Sequence, residues 1–239
     1  MTFKDHFSRQ AADYAKFRPG YPEELFAYLW RIAPSRTLAW DCGTGNGQAA
    51  VALASVFARV IATDASEKQI SEAQPHERVE YRVAPSENSG IQSRTIDLIM
   101  VAQALHWFDL DQFYAETWRV LKSNGVLAAS AYRFFHITAE IDELVNHRYH
   151  DKVVGPFWPP ERVLVEKFEE LPFPFSEIQT PSFEMIVQWK LEHLVGYLRS
   201  GPRHNDSSRR TSAIPWRKSP MNSVPRGATR SRCAAPFGH

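Results

Sequence analysis

The stretch 37-TLAWDCGTGNGQAA-50 decides the fold. An apolar run ends in an acid, Asp41, and glycines follow at alternate positions, Gly43, Gly45 and Gly47. Small and apolar residues at helical spacing come directly after the glycines. This order of strand, glycine loop and helix is typical of an open parallel sheet, in which a ligand binds beyond the carboxyl ends of the strands.

The same alternation of strand and helix continues along the chain. Further strands are predicted at 59–63, 79–83, 96–102, 126–132 and 183–189, and helices at 66–73, 111–121, 138–153, 163–171 and 191–198. The strand 96-IDLIMVA-102 is apolar nearly throughout, as strands covered on both faces are. We therefore predict an α/β fold, a Rossmann-like open and mostly parallel sheet with helices on both faces.

The glycine loop lacks the residues that hold phosphates. A dinucleotide fingerprint would need glycine where Gln48 stands, and no P-loop lysine lies between Thr37 and Arg59. Asp41 would repel a pyrophosphate but suits a cationic ligand. S-adenosylmethionine is such a ligand, because it carries an ammonium group and a sulfonium. The loop therefore favours this cofactor over NAD, and an oxidoreductase is the weaker alternative.

A second acid supports the same cofactor. Asp64 ends the second strand, where its carboxylate is placed to accept hydrogen bonds from both ribose hydroxyls. Alternatively, Asp41 caps a turn and Asp64 caps the next helix, which is the better explanation for either acid alone. Their occurrence together at two strand ends, beside the glycines, favours the cofactor site.

These motifs resemble those of the class I S-adenosylmethionine-dependent methyltransferases over residues 1–200. DCGTGNG matches the family's cofactor loop, and 61-IATDAS-66 matches its second acidic strand end. AQALHWF within 101-VAQALHWFDLDQF-113, and 13-DYAKFRPGYP-22, are similar to the type 11 branch that contains trans-aconitate methyltransferase. The acceptors of that branch are small carboxylates, so the resemblance implies methyl transfer to a small molecule, with a carboxylate as the candidate class.

The resemblance also implies a set of cofactor-binding residues. They are Tyr14, Arg18, Asp41, Gly43, Thr44, Gly45, Gly47, Asp64, Ala84, Glu87, Gln103 and His106. Many relatives place an acid where Ala84 stands, to accept a hydrogen bond from the adenine amino group. In this chain Glu87 or the backbone at 84–86 is left to make that contact.

Three side chains are candidates for a part in catalysis. His106 is the titratable group suited to orient or deprotonate an acceptor, although it and Trp107 could equally just pack under a lid. Arg18 and Arg133 are candidate clamps, because a guanidinium holds a carboxylate in a bidentate way. Tyr14 and Tyr21 are lid candidates, and no metal site is predicted. A carboxylate is already ionised at neutral pH and needs no base.

The chain divides into three parts: helices at 1–36, for which the resemblance implies a role as a lid, a cofactor-binding domain at 37–200 and a tail of atypical composition at 201–239. The tail has five prolines and scattered basic residues without an apolar period, which predicts disorder. Restoring one base at codon 201 permits an amphipathic continuation, so we hypothesise that the tail is a frame-shifted product. The final antiparallel strand of the sheet would then be missing, which leaves a non-catalytic or defective protein as the alternative function.

Composition limits the partners. Residues 1–200 hold 20 basic and 26 acidic residues, and this acidic balance argues against nucleic acid as a partner. Neither a run of 18 apolar residues nor a basic-then-apolar leader occurs, and the two cysteines, Cys42 and Cys233, form no metal-binding pair. We therefore expect a cytoplasmic protein with no membrane association, acting on a small-molecule acceptor.

Overall fold

A mostly parallel sheet forms the centre of the protein in the computed structural model, which describes residues 18–132, 135–154, 163–199 and 226–235. Its strands are β1 (Leu38–Cys42), β2 (Arg59–Asp64), β3 (Val79–Val83), β4 (Ile96–Ala102), β5 (Leu121–Tyr132), β6 (Ser176–Ile178), β7 (Phe183–Ile186) and β8 (Arg226–Ala235). The order across the sheet is β3-β2-β1-β4-β5-β8-β6, and β7 also pairs with β8. The first five strands are mutually parallel, which confirms the predicted fold class.

Helices follow the strands as the alternation predicts. They are α1 (Glu23–Ile32), α2 (Gln48–Ala54), α3 (Glu67–Ser71), α4 (Leu110–Val120), α5 (Ala139–Asp142), which continues as a π-helical segment (Glu143–Val154), α6 (Val163–Glu166) and α7 (Leu191–Arg199). Short 3₁₀ turns occupy Leu105–Trp107 and Phe168–Glu170. Among the residues described, no helix is both long and apolar enough to cross a membrane.

The packing of β4 shows why its sequence is apolar at every position except Asp97. Leu98 and Met100 pack in a core cluster that includes residues of α1 and α2. Ile99 and Val101, which point the other way, pack in a second cluster with residues of α4. Because successive side chains of a strand point to opposite faces, a strand covered by helices on both sides is apolar nearly throughout.

The last strand corrects one expectation from the sequence. β8 runs antiparallel between β5 and β6, so the final antiparallel strand is present and residues 226–235 are not disordered. A ladder uses main-chain groups, so the open edge of β5 can pair with an extended segment whose sequence shows no strand pattern. The other residues of the predicted tail, 201–225 and 236–239, lie outside the described part of the chain.

A buried acid joins the amino ends of two central strands. Asp97 at the start of β4 is fully buried. Its Oδ2 accepts hydrogen bonds from the backbone amides of Thr37 and Leu38, each at 3.0 Å. Its Oδ1 pairs with the ammonium group of Lys122. This network fixes the entry of the chain into β1, the strand that ends in the glycine loop.

Candidate functional site

The glycine loop lies between β1 and α2, and neighbouring side chains approach two of its glycines too closely to leave room for a Cβ atom. Gly43 and Gly47 have positive φ angles of 72° and 88°. A Cβ atom on Gly43 would lie 2.6 Å from Cβ of Ala104, and one on Gly47 would lie 2.2 Å from Oη of Tyr81. At Gly45 the nearest such atom is 3.9 Å away, so this side of the loop is open. Gly43 and Gly47 allow neighbouring side chains to pack against the loop, and Gly45 faces open space in which a ligand could lie.

Asp41 lies beneath the loop at the end of β1 and is buried. Its Oδ2 accepts a hydrogen bond of 2.5 Å from Oγ1 of Thr44. Its Oδ1 is also buried and makes no hydrogen bond of normal geometry to the described residues, although the backbone of Ala50 lies near enough to favour the charged form. A buried carboxylate oxygen without a donor is costly, which indicates a ligand with donors or positive charge.

The environment of Asp41 changes its proton affinity. Burial raises the pKa of its carboxyl from an ordinary value of 3.8 to about 7, and the nearby negative charge of Asp64 contributes in the same direction. The hydrogen bond from Thr44 lowers the pKa but does not offset the burial. Burial and the charge of Asp41 together raise the pKa of Tyr81 to about 12. A carboxyl with such a raised pKa is typical of functional sites.

Asp64, at the end of β2, connects the loop to the adjoining strand. Its Oδ2 accepts a hydrogen bond of 2.9 Å from the amide of Gly45, and its Oδ1 accepts one of 2.9 Å from the amide of Ser66. The cap of α3 is Ser66, whose Oγ accepts from the amide of Gln69. In the alternative hypothesis Asp64 would cap this helix. Ser66 is the cap instead, and the carboxylate of Asp64 binds the glycine loop.

The segment after β3 lies next to Asp64. The amide of Ala84 donates to the backbone oxygen of Asp64 at 3.0 Å. Glu87 is exposed and accepts a hydrogen bond from Oγ of Ser86. Asp41 with its glycine loop, Asp64 and Ala84 thus follow the ends of three neighbouring strands, β1, β2 and β3, along one edge of the sheet.

Beyond β4, Gln103 adopts a left-handed backbone conformation with a φ of 56°. Its amide donates to the backbone oxygen of Ser130, and its Nε2 donates to that of Tyr132, each at 2.8 Å. A non-glycine residue in this region is strained, and such residues cluster at functional sites. His106 is buried in the 3₁₀ turn that follows, with its ring 4.7 Å from that of Trp107.

Two of the candidate lid and acceptor residues lie in the described part of the chain, Arg18 against α7 and Tyr21 against the end of β5. Arg18 donates from Nη1 to Oη of Tyr197 at 3.2 Å, with its guanidinium 4.6 Å over that ring. Tyr21 packs against Tyr132 at a ring distance of 6.4 Å. Two other predicted residues, Arg133 and Tyr14, lie outside the described residues. No group of three or more His, Cys, Asp or Glu side chains suited to a metal occurs in the described ranges.

The sequence patterns did not predict a buried contact between Glu116 and Ser89. The carboxylate of Glu116 on α4 is buried and binds both the amide and Oγ of Ser89, in the segment between β3 and β4. One feature of the sequence could have indicated that Glu116 is buried. It lies three residues after Phe113 and four before Val120, which places it on the inner face of α4.

Comparison with known proteins identifies relatives of this chain. A family model described as a methyltransferase domain matches residues 40–129, the glycine loop to β5. A candidate methyltransferase of Dictyostelium discoideum is 34% identical over 202 residues, covering 83% of this chain and 77% of the relative. A candidate S-adenosylmethionine-dependent methyltransferase of Saccharomyces cerevisiae is 28% identical over 128 residues, covering 50% of this chain and 44% of the relative. The solved structure of a candidate type II methyltransferase from Anaeromyxobacter dehalogenans has 38% identity and a TM-score of 0.83, and the match covers 93% of this chain and 100% of that one.

Proposed function

This chain belongs to the S-adenosylmethionine-dependent methyltransferases, and from that premise we propose that it methylates a small-molecule acceptor, with a carboxylate as the first candidate. One observation supports the placement of the cofactor most strongly. The buried Oδ1 of Asp41, which has no hydrogen bond of normal geometry to the described residues, lies beside an open glycine loop and next to a second acid, Asp64.

The residues present fit the parts of the cofactor. Asp41 would lie near the cationic methionine part, with Gly43, Gly45 and Thr44 forming the loop over it. Asp64 already accepts two backbone hydrogen bonds, and its oxygens retain lone pairs for the ribose hydroxyls. Ala84 and Glu87 are placed at the next strand end for the adenine. Gln103 and His106 complete the set on the β4 side, and Tyr14 remains a prediction.

When bound, the cofactor supplies an electrophilic methyl group on a sulfonium. The protein then needs to align the acceptor oxygen with that methyl and to exclude water. His106 is buried beside Trp107, and we expect it to orient the acceptor. A carboxylate attacks without losing a proton, so His106 need not act as a base for such an acceptor.

Cofactor affinity is expected to fall as the pH is lowered from 7 to 5. The raised pKa of Asp41, about 7, means that this carboxyl is protonated below that pH in the absence of the cofactor. A cationic ligand favours the ionised form, so binding at lower pH must release a proton. The dissociation constant should increase about tenfold for each pH unit below 7. Calorimetric titration across this range, in buffers of different ionisation enthalpy, measures both the constant and the proton release.

The control for this pH dependence is Asp41→Asn, which keeps the size of the side chain but cannot ionise. Its cofactor affinity should be weaker and nearly independent of pH between 5 and 7. Without the cofactor, the unfavourable ionisation of buried Asp41 destabilises the fold progressively as the pH rises from about 4 to about 7. The variant should therefore gain stability relative to the native chain at pH 8. A native dissociation constant that is flat from pH 5 to 7 would contradict the placement of the cation near Asp41.

We expect Arg18→Ala to raise the KM for a carboxylate acceptor while leaving the KM for the cofactor within about twofold. A charge-assisted hydrogen bond contributes about 1.5–3 kcal/mol, which corresponds to a change of about 10- to 150-fold. Arg36→Ala is the matched control, because Arg36 also stacks on an aromatic ring, that of Trp30, but on the exposed surface. An unchanged acceptor KM in Arg18→Ala would show that Arg18 only packs on Tyr197. A rise in the cofactor KM would assign Arg18 to the cofactor instead.

The function itself is tested by S-adenosylhomocysteine formation in a panel of small molecules. Mono-, di- and tricarboxylates form the first set, and amines, phenols and thiols of similar size form the second. Turnover confined to the carboxylates would support the proposed acceptor class. Turnover only in the second set would replace it while leaving the methyltransferase assignment in place.

A further inference from the structure

We infer that Glu116 is a positioning residue for the adenine of the cofactor. It acts through Ser89, whose position it fixes at the end of the 84–88 segment. This inference rests on the proposed function, because it takes the cofactor to lie along the carboxyl edge of the sheet. Glu116 lies on α4. Among the described residues, it makes no hydrogen bond to the carboxyl ends of the strands.

The strand order places the adenine. The glycine loop follows β1, Asp64 ends β2, and the 84–88 segment follows β3, and these three strands are neighbours in the sheet. A ligand with its amino-acid part at the loop and its ribose at Asp64 must therefore direct its base towards the end of β3. The 84–88 segment is the part of the chain at that position.

Two anchors hold this segment. At its start, the amide of Ala84 donates to the backbone oxygen of Asp64 at 3.0 Å. At its end, Oε1 of Glu116 accepts from the amide of Ser89 at 2.9 Å and from its Oγ at 2.5 Å. Oγ of Ser89 in turn accepts from the amide of Ile91 at 3.2 Å. Between the anchors, Pro85, Glu87 and Asn88 are exposed, so the two ends determine where the segment lies.

The second anchor is itself fixed. Glu116 accepts from Nε and Nη2 of Arg119 at 2.7 Å each, and Nη1 of Arg119 donates to Oγ of Ser93. Burial alone would raise the pKa of Glu116, but the hydrogen bonds from Arg119 and Ser89 outweigh it and lower the pKa, so the group is a carboxylate at neutral pH. A buried carboxylate with two kinds of donors holds its geometry firmly.

The position of the 84–88 segment determines how the adenine edge is recognised. Adenine presents an amino group and an acceptor nitrogen, and backbone groups at 84–86 or the carboxylate of Glu87 are the available partners. Shifting the segment by even a fraction of an ångström would lengthen these bonds and weaken base discrimination. Contacts at Asp41 and Asp64, which lie on other strands, would be less affected.

The test compares S-adenosylhomocysteine with S-inosylhomocysteine, in which a carbonyl replaces the adenine amino group. Calorimetric titration of the full chain should show the adenine form binding at least about tenfold more tightly. In Glu116→Gln this preference should fall to within about threefold, with kcat at saturating cofactor retained. Glu80→Gln is the matched control, since Glu80 also pairs with two arginines but on the exposed face of β3, and it should keep the native preference.

Ser89→Ala provides a second variant that leaves Glu116 paired with Arg119, and it should show the same loss of preference in smaller degree. The inference is wrong if Glu116→Gln weakens the binding of both ligands by the same factor or keeps the native preference for the adenine form. Glu116 would then have no positioning role. If the native chain binds neither ligand, the proposed function fails rather than this inference alone.

Discussion

Asp64→Ala is expected to weaken S-adenosylmethionine binding by about two to four orders of magnitude. The carboxylate is proposed to accept two ribose hydroxyls, and charge-assisted hydrogen bonds contribute about 1.5–3 kcal/mol each. The substitution also removes the acceptor for the amides of Gly45 and Ser66, so the glycine loop loses its link to β2. Isothermal titration of the purified chain measures the change directly, and a thermal melt shows whether the fold persists.

Asp109→Ala is the matched control for this substitution. Asp109 caps α4 by accepting from the amide of Gln112, which is the same kind of bond from a carboxylate to the backbone. Its removal should shorten the helix end without changing the cofactor dissociation constant by more than about threefold. A dissociation constant for Asp64→Ala within threefold of the native one would mean that the ribose lies elsewhere.

Asp97→Ala is expected to lower the free energy of unfolding by about 3–5 kcal/mol, a large share of the 5–15 kcal/mol typical of a domain. The substitution leaves the amides of Thr37 and Leu38 without their acceptor and removes the partner of Lys122. Hydrogen bonds to a charged group contribute about 1.5–3 kcal/mol each, and Asp97 accepts two of them from the backbone. Denaturant unfolding at pH 7 measures the loss.

The comparison for Asp97 is Glu77→Ala, which removes an acid whose ion pair with Arg78 is exposed. That change should alter stability by less than about 1 kcal/mol, because exposed ion pairs contribute little. Equal losses for the two variants would show that the buried network at the start of β4 is not an anchor. If the Asp97→Ala protein folds, its dissociation constant for the cofactor should be that of the native chain. Asp97 lies at the opposite end of the strands from the glycine loop.

Most of the sheet could be predicted because its signals are local. The apolar run of β4, the glycines after β1 and the acid at the end of β2 each depend on residues close in sequence. The start of β5 could not be predicted in this way. The turn-like composition of 122-KSNG-125 favours a strand that begins at residue 126, but β5 already begins at Leu121, which pairs with Ile96 before the register shifts. That pairing is a long-range contact, and turn composition carries no information about it.

The strand β8 was missed for a related reason. Its residues, 226-RGATRSRCAA-235, have neither alternation nor β-branched enrichment, so no local signal distinguishes them from a loop. The pairing depends on the available main-chain groups of β5, β6 and β7. The presence of β8 removes the structural argument for a defective protein. The frame-shift hypothesis stays a prediction, and the DNA sequence around codon 201 tests it.

The site was predicted in its acids and glycines but not in its supports. Asp41 and Asp64 could be located because strand ends are recognisable in the sequence. The left-handed backbone of Gln103 and the bond between Glu116 and Ser89 depend on how distant segments meet. The predicted roles of Arg133 and Tyr14 fall outside the described residues and stay predictions.

Calorimetric titration of the 239-residue chain with S-adenosylmethionine, and in parallel with NAD, is the most direct test that the glycine loop and Asp64 hold this cofactor. We predict one site with a micromolar dissociation constant for S-adenosylmethionine, no heat of binding with NAD, and loss of the S-adenosylmethionine signal in Asp64→Ala. Binding of NAD in place of S-adenosylmethionine, or native affinity in Asp64→Ala, would contradict the account.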